Sequence, residues 1–344
     1  HTIGRRQRQM CIRDRLKNKF AMQTYLKATN DLYKKAAETP QEGLCCTTTP
    51  IWKLPDLEIP DIMLRMNYGC GSTVHPHDLS NSPKVLYVGV GGGMELLQFA
   101  YFSRRKSSII GVDVVDEMLA ASAKNFKEAE EQNAWFSSDF IDLRKGDALN
   151  LPVEDASIDV AAQNCLFNIF KIDDLKLALA EMYRVLKPHG RLVLSDPISQ
   201  QQMPEHLRNN DHLRALCLSG ALTLEEYIKM LTDCGFGTIE VRAKRPYRIL
   251  SPKKYDIQEL IYIESVEVCA IKDPMPEDGP CVFTGKTAIY FGEEEYFDDE
   301  KGHTLMSNQP LPVCDKTANN LANLERDDIF ISSSTWFYDG GGCC

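Results

Sequence analysis

Short apolar runs alternate with amphipathic segments between residues 85 and 243. The apolar runs are rich in Val, Ile and Leu, and they predict strands at residues 85–90, 108–114, 141–144, 158–162 and 191–195. The amphipathic segments between them have apolar residues three and four positions apart, and they predict helices at residues 94–102, 116–132 and 173–186. Strands that alternate with helices are typical of an α/β fold with a doubly wound, mainly parallel sheet.

The segments on either side of this alternating region predict further helices and strands. Residues 24–39 predict a helix, and prolines punctuate the loop region that follows, up to residue 83. After the sheet, residues 204–218 and 224–234 predict two helices, the second with a capping box at Thr223 and Glu226. Residues 238–243 predict one more strand. Beyond residue 243 the alternation fades, which predicts a smaller mixed C-terminal α+β domain over 244–344.

Charge and cysteine content limit the possible partners. The net charge is -10, although residues 1–23 are rich in Arg and Lys, so the rest of the chain is more acidic still and nucleic acid is not an expected partner. Residues 1–23 are expected to be a non-native or disordered basic tail, with a transit peptide as the alternative. The sequence has no run of 18 or more apolar residues, so it predicts no membrane span. The chain has 12 cysteines but no CxxC spacing, which favours reduced thiols and a cytoplasmic location.

A nucleotide-type cofactor site is predicted at the ends of the first three strands. Gly89, Gly91 and Gly93 form a GxGxG turn between a strand and a helix, where backbone N–H groups face a ligand. Asp113 ends the second strand and can accept both ribose hydroxyls, while Asp147 and Ala148 follow the third and can hold an adenine edge. In this order and spacing the pieces resemble the class I S-adenosylmethionine-dependent methyltransferases. That resemblance implies a Rossmann-like core domain over 84–243 that binds S-adenosylmethionine.

The position two residues before the first glycine departs from the pattern of that family. Enzymes of the family often carry an acid there, and this chain has Tyr87. The contacts to the methionine end of the cofactor are therefore predicted to differ.

Separated cysteines surround the predicted cofactor site. Cys165 closes the fourth strand at the edge where ligands bind, Cys70 lies in a Tyr-Gly-Cys-Gly turn, and Cys217 precedes Ser-Gly after the fifth strand. Thiolates select soft centres, so three of them converging on one point would form a trigonal pocket for a trivalent metalloid. The alternative for each is a small buried hydrophobic residue.

With these cysteines in place, the chain resembles the arsenite methyltransferases, especially the type associated with arsenosugar biosynthesis. The resemblance implies that Cys70, Cys165 and Cys217 handle arsenic, with Cys45 or Cys46 as the fourth cysteine; which of the two remains open. It implies methyl transfer from S-adenosylmethionine to arsenite or methylarsenite, for detoxification or arsenosugar synthesis. The Cys343 and Cys344 pair follows three glycines at the end of the sequence and is a candidate for arsenic capture.

Methylation formally oxidises arsenic, so the reaction calls for electrons. A disulfide between Cys70 and Cys45 or Cys46, restored by thioredoxin or glutathione, is the predicted source. Two other functions stay open from the sequence. One is a methyltransferase of an organic small molecule, which usually needs a His, Asp or Glu base. The other is a non-enzymatic, cysteine-rich metalloid binder, which need not bind S-adenosylmethionine.

Overall fold

The computed structural model describes residues 24–41, 44 and 54–335. The helices are α1 (Thr24–Glu38), α2 (Asp61–Arg65), α3 (Met94–Phe102), α4 (Asp116–Gln132), α5 (Ile172–Val185), α6 (Glu205–Arg208), α7 (Asp211–Ala215), α8 (Leu224–Cys234), α9 (Pro252–Tyr255) and α10 (Asp315–Ala322). Short 3-10 helices lie at Pro76–Leu79, Ser138–Phe140 and Phe167–Ile169. None of the helices in this described part is long and apolar enough to cross a membrane.

Eight strands form the main sheet, in the order β3-β2-β1-β4-β5-β7-β6-β8. They are β1 (Val85–Val88), β2 (Ile109–Asp113), β3 (Ile141–Lys145), β4 (Ile158–Asn164), β5 (Leu186–Ser199), β6 (Thr238–Leu250), β7 (Ile261–Ile271) and β8 (Cys281–Phe283). Strands β1 to β5 are parallel, whereas β7 runs antiparallel to both β5 and β6. The chain order reverses direction between β1 and β4, which is where ligands bind in such sheets. The predicted α/β fold class is confirmed.

Alternate residues of the strands feed two hydrophobic cores, one on each face of the sheet. Tyr87 of β1 and Ala162 of β4 belong to one core, and their neighbours Leu86 and Ala161 belong to the other. This follows from the two-residue period of a strand, since successive side chains point to opposite faces. Both faces are therefore covered, as the continuous apolar runs predict.

Several helices form where the sequence predicts them, for identifiable reasons. Helix α8 begins after Thr223, which forms a capping box with Glu226 in the first turn, and it ends before Gly235, whose φ of 115° is left-handed. The predicted helix over 204–218 is wrong, because it is interrupted: α6 and α7 are two short helices separated by Asn209 and Asn210. The Asn210 side chain accepts a hydrogen bond from the Leu213 N–H and caps α7, so it begins a new helix.

Strands β9 to β13 form two small sheets near the C-terminal end. They are β9 (Thr287–Tyr290), β10 (Tyr296–Asp298), β11 (Thr304–Met306), β12 (Leu311–Pro312) and β13 (Ile329–Ile331). Helix α10 packs against them around a third small core that includes Tyr290, Leu305 and Leu321. The predicted boundary after residue 243 falls inside β6, and β7 and β8 also belong to the main sheet. The domain limits stay a prediction.

Candidate functional site

The glycine turn between β1 and α3 adopts backbone conformations that favour glycine. Gly89, Gly91 and Gly93 have φ values of 86°, 52° and 88°. A Cβ on Gly93 would lie 2.7 Å from the Phe126 ring of α4, so this glycine also allows the helix to pack closely. Gly89 and Gly91 line the cavity described below. Gly93 does not line it and is the N-cap residue of α3.

The carboxylate of Asp113 lies at the end of β2, beside the glycine turn. Its two oxygens accept hydrogen bonds from the Val90 and Val115 N–H groups, each at 2.9 Å. Burial raises the pKa of Asp113 to about 6, although these backbone donors act in the opposite direction. Asp147 and Ala148 follow β3 and line the same cavity, and Asp147 accepts a hydrogen bond from the Leu149 N–H.

A cavity of about 400 Å³ opens at the carboxyl ends of β1, β2 and β4. It is lined by the glycine turn, Asp113, Asp147, Ala148 and Cys165. The predicted cofactor residues other than Gly93 therefore face one space. The described residues that line it include no histidine.

Helix α1 forms part of the cavity wall. Asn30 and Tyr33 of this helix line the cavity. The Tyr25 hydroxyl donates to the Asp174 carboxylate of α5, and Lys34 forms an exposed ion pair of 3.0 Å with Glu117 of α4. Tyr25 is fully buried, so the first turn of α1 packs into the core of the protein.

Tyr87 and Glu95 form a buried pair at the position where the family pattern departs. The Tyr87 hydroxyl donates to Glu95 Oε2. Glu95 Oε1 accepts from the N–H of Thr73 at 2.8 Å and from its hydroxyl at 3.1 Å. Burial raises the pKa of Glu95, with these hydrogen bonds acting against it. An acid thus reaches the wall of the cavity from α3 and not from β1.

Asn164, the last residue of β4, holds the segment that carries Cys70. Its Oδ1 accepts from the Cys70 N–H at 2.9 Å, and its Nδ2 donates to the Gly71 carbonyl at 2.8 Å and to Glu95 Oε2 at 3.1 Å. A Cβ on Gly69 would overlap the Asn164 amide. The Tyr-Gly-Cys-Gly turn therefore needs its glycines in order to lie against β4.

The structure brings Cys70, Cys165 and Cys217 to the carboxyl ends of β4 and β5. Cys70 Sγ lies 3.5 Å from Ser195 Oγ, and the Cys165 N–H donates to the Ser195 carbonyl at 2.7 Å. Cys217 Sγ donates to the Cys165 carbonyl at 2.8 Å. All three are buried in one core, and Cys165 and Cys217 have φ values of 62° and 57°, which are uncommon outside glycine.

The contacts that link these three cysteines run through Ser195 and the backbone of Cys165. Among the described residues, no group of three or more Cys, His, Asp or Glu is placed to hold a metal ion. Cys45, Cys46, Cys343 and Cys344 lie outside the described residues. The roles predicted for all these cysteines stay predictions.

Arg245 and Glu267 form a buried ion pair behind the Cys70 turn that the sequence analysis missed. Arg245 Nη1 lies 2.6 Å from Glu267 Oε1, which also accepts from the Ser72 N–H at 2.7 Å. A Cβ on Gly71 would overlap Ser195 Oγ and lie 2.9 Å from Arg245 Nη1. These charges come from β6 and β7, whose pairing no local sequence pattern reveals.

The buried carboxyl of Asp196 lies one residue beyond Ser195 and was also missed. It accepts hydrogen bonds from the Gln163 amide and, at 2.6 Å, from the Tyr227 hydroxyl. Burial raises its pKa to about 7, against the effect of these donors. The one signal in the sequence was the presence of this acid inside the apolar run that forms β5. Acidic residues are rarely buried unless they are paired, so an acid in a buried strand indicates a hydrogen-bonded site.

Comparisons with known proteins show which proteins this chain is similar to. A family model described as a methyltransferase domain matches residues 86–194. The arsenite methyltransferase of Aquipseudomonas alcaligenes is 28% identical over 79% of this chain and 80% of that protein. The arsenite methyltransferases of Halobacterium salinarum and Homo sapiens are each 27% identical, over 52% and 62% of this chain. The chain spans 44% and 57% of those two proteins.

A solved structure also has the same fold. The crystal structure of an arsenic(III) S-adenosylmethionine methyltransferase from Chlamydomonas reinhardtii superposes with a TM-score of 0.57 at 22% identity, covering 82% of this chain and 96% of that one. These comparisons confirm the predicted fold class and the predicted resemblance to S-adenosylmethionine-dependent arsenite methyltransferases. The chain therefore has the class I methyltransferase fold, and its sequence is similar to arsenite methyltransferases both within and beyond the cofactor-binding domain.

Proposed function

We propose that this protein transfers methyl groups from S-adenosylmethionine to trivalent arsenic held by cysteine thiolates. The observation that carries the proposal is the position of Cys165, which lines the cofactor cavity while its backbone contacts Ser195 and Cys217. Ser195 in turn contacts Cys70. The named relatives support arsenite as the acceptor.

The residues around the cavity fit S-adenosylmethionine. Asp113 would accept the ribose hydroxyls, and the turn at Gly89 and Gly91 would face the cofactor with backbone N–H groups. Asp147 and Ala148 would lie at the adenine, and Glu95 and Asn164 line the same cavity. When bound, S-adenosylmethionine supplies a methyl group on a sulfonium, which the lone pair of trivalent arsenic can accept as a neutral thioether leaves.

The protein contributes chiefly positioning and a dry site. Cys70, Cys165 and Cys217 are almost fully buried, so arsenic bound to them would be shielded from water. Thiolates suit this soft centre, and arsenic in the trivalent state carries no proton that a general base must remove.

Electrons for repeated turnover would come from thiols. Each methyl transfer oxidises arsenic by two electrons, and two cysteines return them as they form a disulfide. Cys70 with Cys45 or Cys46 is the proposed pair, and thioredoxin or glutathione would reduce it again. Whether the product serves detoxification or arsenosugar synthesis depends on the enzymes that consume it.

The test is to incubate the purified protein with arsenite, S-adenosylmethionine and a thiol reductant, and then to separate the arsenic species. We expect mono- or dimethylated arsenic from the wild type and at least 100-fold less from Cys165→Ser. Cys234→Ser is the matched control, because Cys234 lies on α8 and does not line the cavity. Bound S-adenosylmethionine without any methylated arsenic would refute the proposal and favour an organic acceptor.

A further inference from the structure

The segment that carries Cys70 is held in place by side chains. Residues 67–75 lie between α2 and the 3-10 helix at Pro76–Leu79 and belong to neither a helix nor a strand. Four backbone N–H groups of this segment each donate to a side-chain oxygen: Gly69 to Asn67 at 3.1 Å, Cys70 to Asn164 at 2.9 Å, Ser72 to Glu267 at 2.7 Å and Thr73 to Glu95 at 2.8 Å. The position of the Cys70 thiol therefore depends on where these acceptor side chains lie.

Glu267 is the acceptor that reaches this segment from β7. Its register partner on β5 is Ser195, whose Oγ lies 3.5 Å from Cys70 Sγ. Arg245 of β6 holds the same carboxylate, because its Nη1 lies 2.6 Å from Glu267 Oε1, the oxygen that accepts from the segment. A Cβ on Gly71 would lie within 2.9 Å of all three of these polar side chains, so the turn packs directly on them.

The ion pair leaves hydrogen-bond donors without partners in the interior. The side chains of Arg245 and Glu267 are only 9% and 13% exposed. Arg245 Nε and Nη2, and the hydroxyl of its register partner Ser265, have no hydrogen-bond partner among the residues that the structure describes. A buried donor without a partner keeps its cost of desolvation, and an apolar pair of similar size is often at least as stable as a buried ion pair. Stability of the fold therefore does not account for this pair, whereas its contact with the Cys70 segment is specific.

We propose that Arg245 and Glu267 are positioning residues for the Cys70 thiol. A carboxylate accepts a stronger hydrogen bond from a backbone N–H than a neutral group does, and the guanidinium fixes the orientation of this carboxylate toward Ser72. Without the pair, the Ser72 N–H loses its acceptor, and the turn that brings Cys70 to Ser195 is released on the side of β7. The importance of this position for arsenic rests on the proposed function, although the placement of the thiol does not.

The experiment measures how fast iodoacetamide alkylates Cys70 in the full-length protein, reduced with a phosphine and freed of reductant, without arsenic or S-adenosylmethionine. Mass spectrometry follows each cysteine peptide, and Cys217 is the internal reference because it is buried in the same core but lies outside the held segment. In Arg245→Met/Glu267→Leu, which removes both charges and the acceptor together, we expect Cys70 to react at least tenfold faster and Cys217 to stay within twofold of its wild-type rate. Arg245→Met/Glu267→Gln keeps an oxygen that can accept from the Ser72 N–H, so its Cys70 should react at most threefold faster.

A second ion pair between the same two strands provides the matched control. Lys244 Nζ lies 3.0 Å from Glu264 Oε2, on the opposite face of the sheet, since successive residues of a strand point to opposite faces. Lys244→Met/Glu264→Leu should leave both alkylation rates within twofold of the wild type. An unchanged Cys70 rate in the variant that lacks charge and acceptor, or an equal rise at Cys217, would overturn the inference, because the pair would then not act on the Cys70 segment in particular.

Arsenite methylation gives a second measurement on the same variants. Neither Arg245 nor Glu267 is among the described residues that line the cofactor cavity. In Arg245→Met/Glu267→Leu we therefore expect the methylation rate to fall at least tenfold while the Kd for S-adenosylmethionine stays within threefold of the wild type. A faster Cys70 with an unchanged methylation rate would refute a role of the pair in the reaction. Because alkylation needs no methyl transfer, failure of the proposed activity would leave the alkylation rates readable.

Discussion

At the scale of single residues, Asn164 connects the two halves of the candidate site. Its amide joins the Cys70 turn to Glu95 through one accepted and two donated hydrogen bonds. An aspartate has the same shape but cannot donate either bond, and its charge would face the carboxyl of Glu95. A change of Asn164 to Asp therefore tests whether the site needs the hydrogen bonds donated by the amide or only a side chain of this size.

We predict that Asn164→Asp lowers the rate of arsenite methylation at least tenfold. Loss of a buried hydrogen bond and the added repulsion amount to about 1–3 kcal/mol, which would displace Cys70. The measurement is the steady-state rate at saturating S-adenosylmethionine, with a thermal scan to confirm folding. Asn150→Asp, at an exposed position on the loop after β3, is the control and should stay within twofold of the wild type. An unchanged rate in Asn164→Asp would contradict the positioning role.

At the scale of elements, α1 supplies one wall of the cavity although it precedes the sheet by many residues. Its contact with α5 depends on the Tyr25 hydroxyl and the Asp174 carboxylate. The cation of Lys171 lies 5.0 Å from the centre of the Tyr25 ring. Burial is the main cause that raises the pKa of Tyr25, followed by its hydrogen bond to Asp174, so the hydroxyl remains a donor.

Removing that hydroxyl should weaken cofactor binding more than catalysis. Tyr25→Phe keeps the ring but leaves the buried Asp174 without this donor, at a cost of about 1–2 kcal/mol. We expect the Kd for S-adenosylmethionine, measured by calorimetry, to rise five- to tenfold with kcat within threefold of the wild type. Tyr101→Phe is the control, because the Tyr101 ring packs on Trp135 outside the cavity. Equal Kd values for both variants and the wild type would show that α1 does not depend on this contact.

At the scale of the whole molecule, the buried carboxyl groups couple folding to pH. Folding raises the pKa of Asp196 from 3.8 to about 7 and that of Asp113 from 3.8 to about 6, in both cases mainly by burial. At a pH between the unfolded and the folded pKa of each group, the carboxyl group is protonated in the folded protein and ionised in the unfolded chain. Their contribution to stability is therefore complete below pH 4 and is lost as the pH rises through 6 and 7.

We predict that Asp196→Asn removes part of this pH dependence. The free energy of unfolding of the wild type should fall between pH 5 and pH 7.5, with Asp196 contributing up to about 1.4 kcal/mol per pH unit below its pKa. The variant, which has no proton to lose there, should show a smaller fall in urea titrations at the two pH values. Asp139→Asn, at an exposed position, should behave as the wild type. Equal slopes for all three proteins would refute the raised pKa of Asp196.

The sequence by itself determined the features that depend on neighbouring residues. Strand and helix periods, the GxGxG turn, the acid that ends β2 and the capping box of α8 are all local, so the α/β fold class was predicted and confirmed. Cys165 could be placed at the cavity because it directly follows a strand whose end faces it. The resemblance to arsenite methyltransferases, which the comparisons confirm, rested on such short segments as well.

Only the tertiary structure decided which distant residues share a site. The charges of Arg245 and Glu267 reach the Cys70 turn through antiparallel pairing of β5, β7 and β6. Glu95 of α3 accepts a hydrogen bond from Tyr87, the residue that stands on β1 where the family often carries an acid. The interruption of the predicted helix at Asn209 was equally hidden. The physical reason is that local propensity acts within a few residues, whereas these contacts form when hydrophobic burial closes the chain on itself.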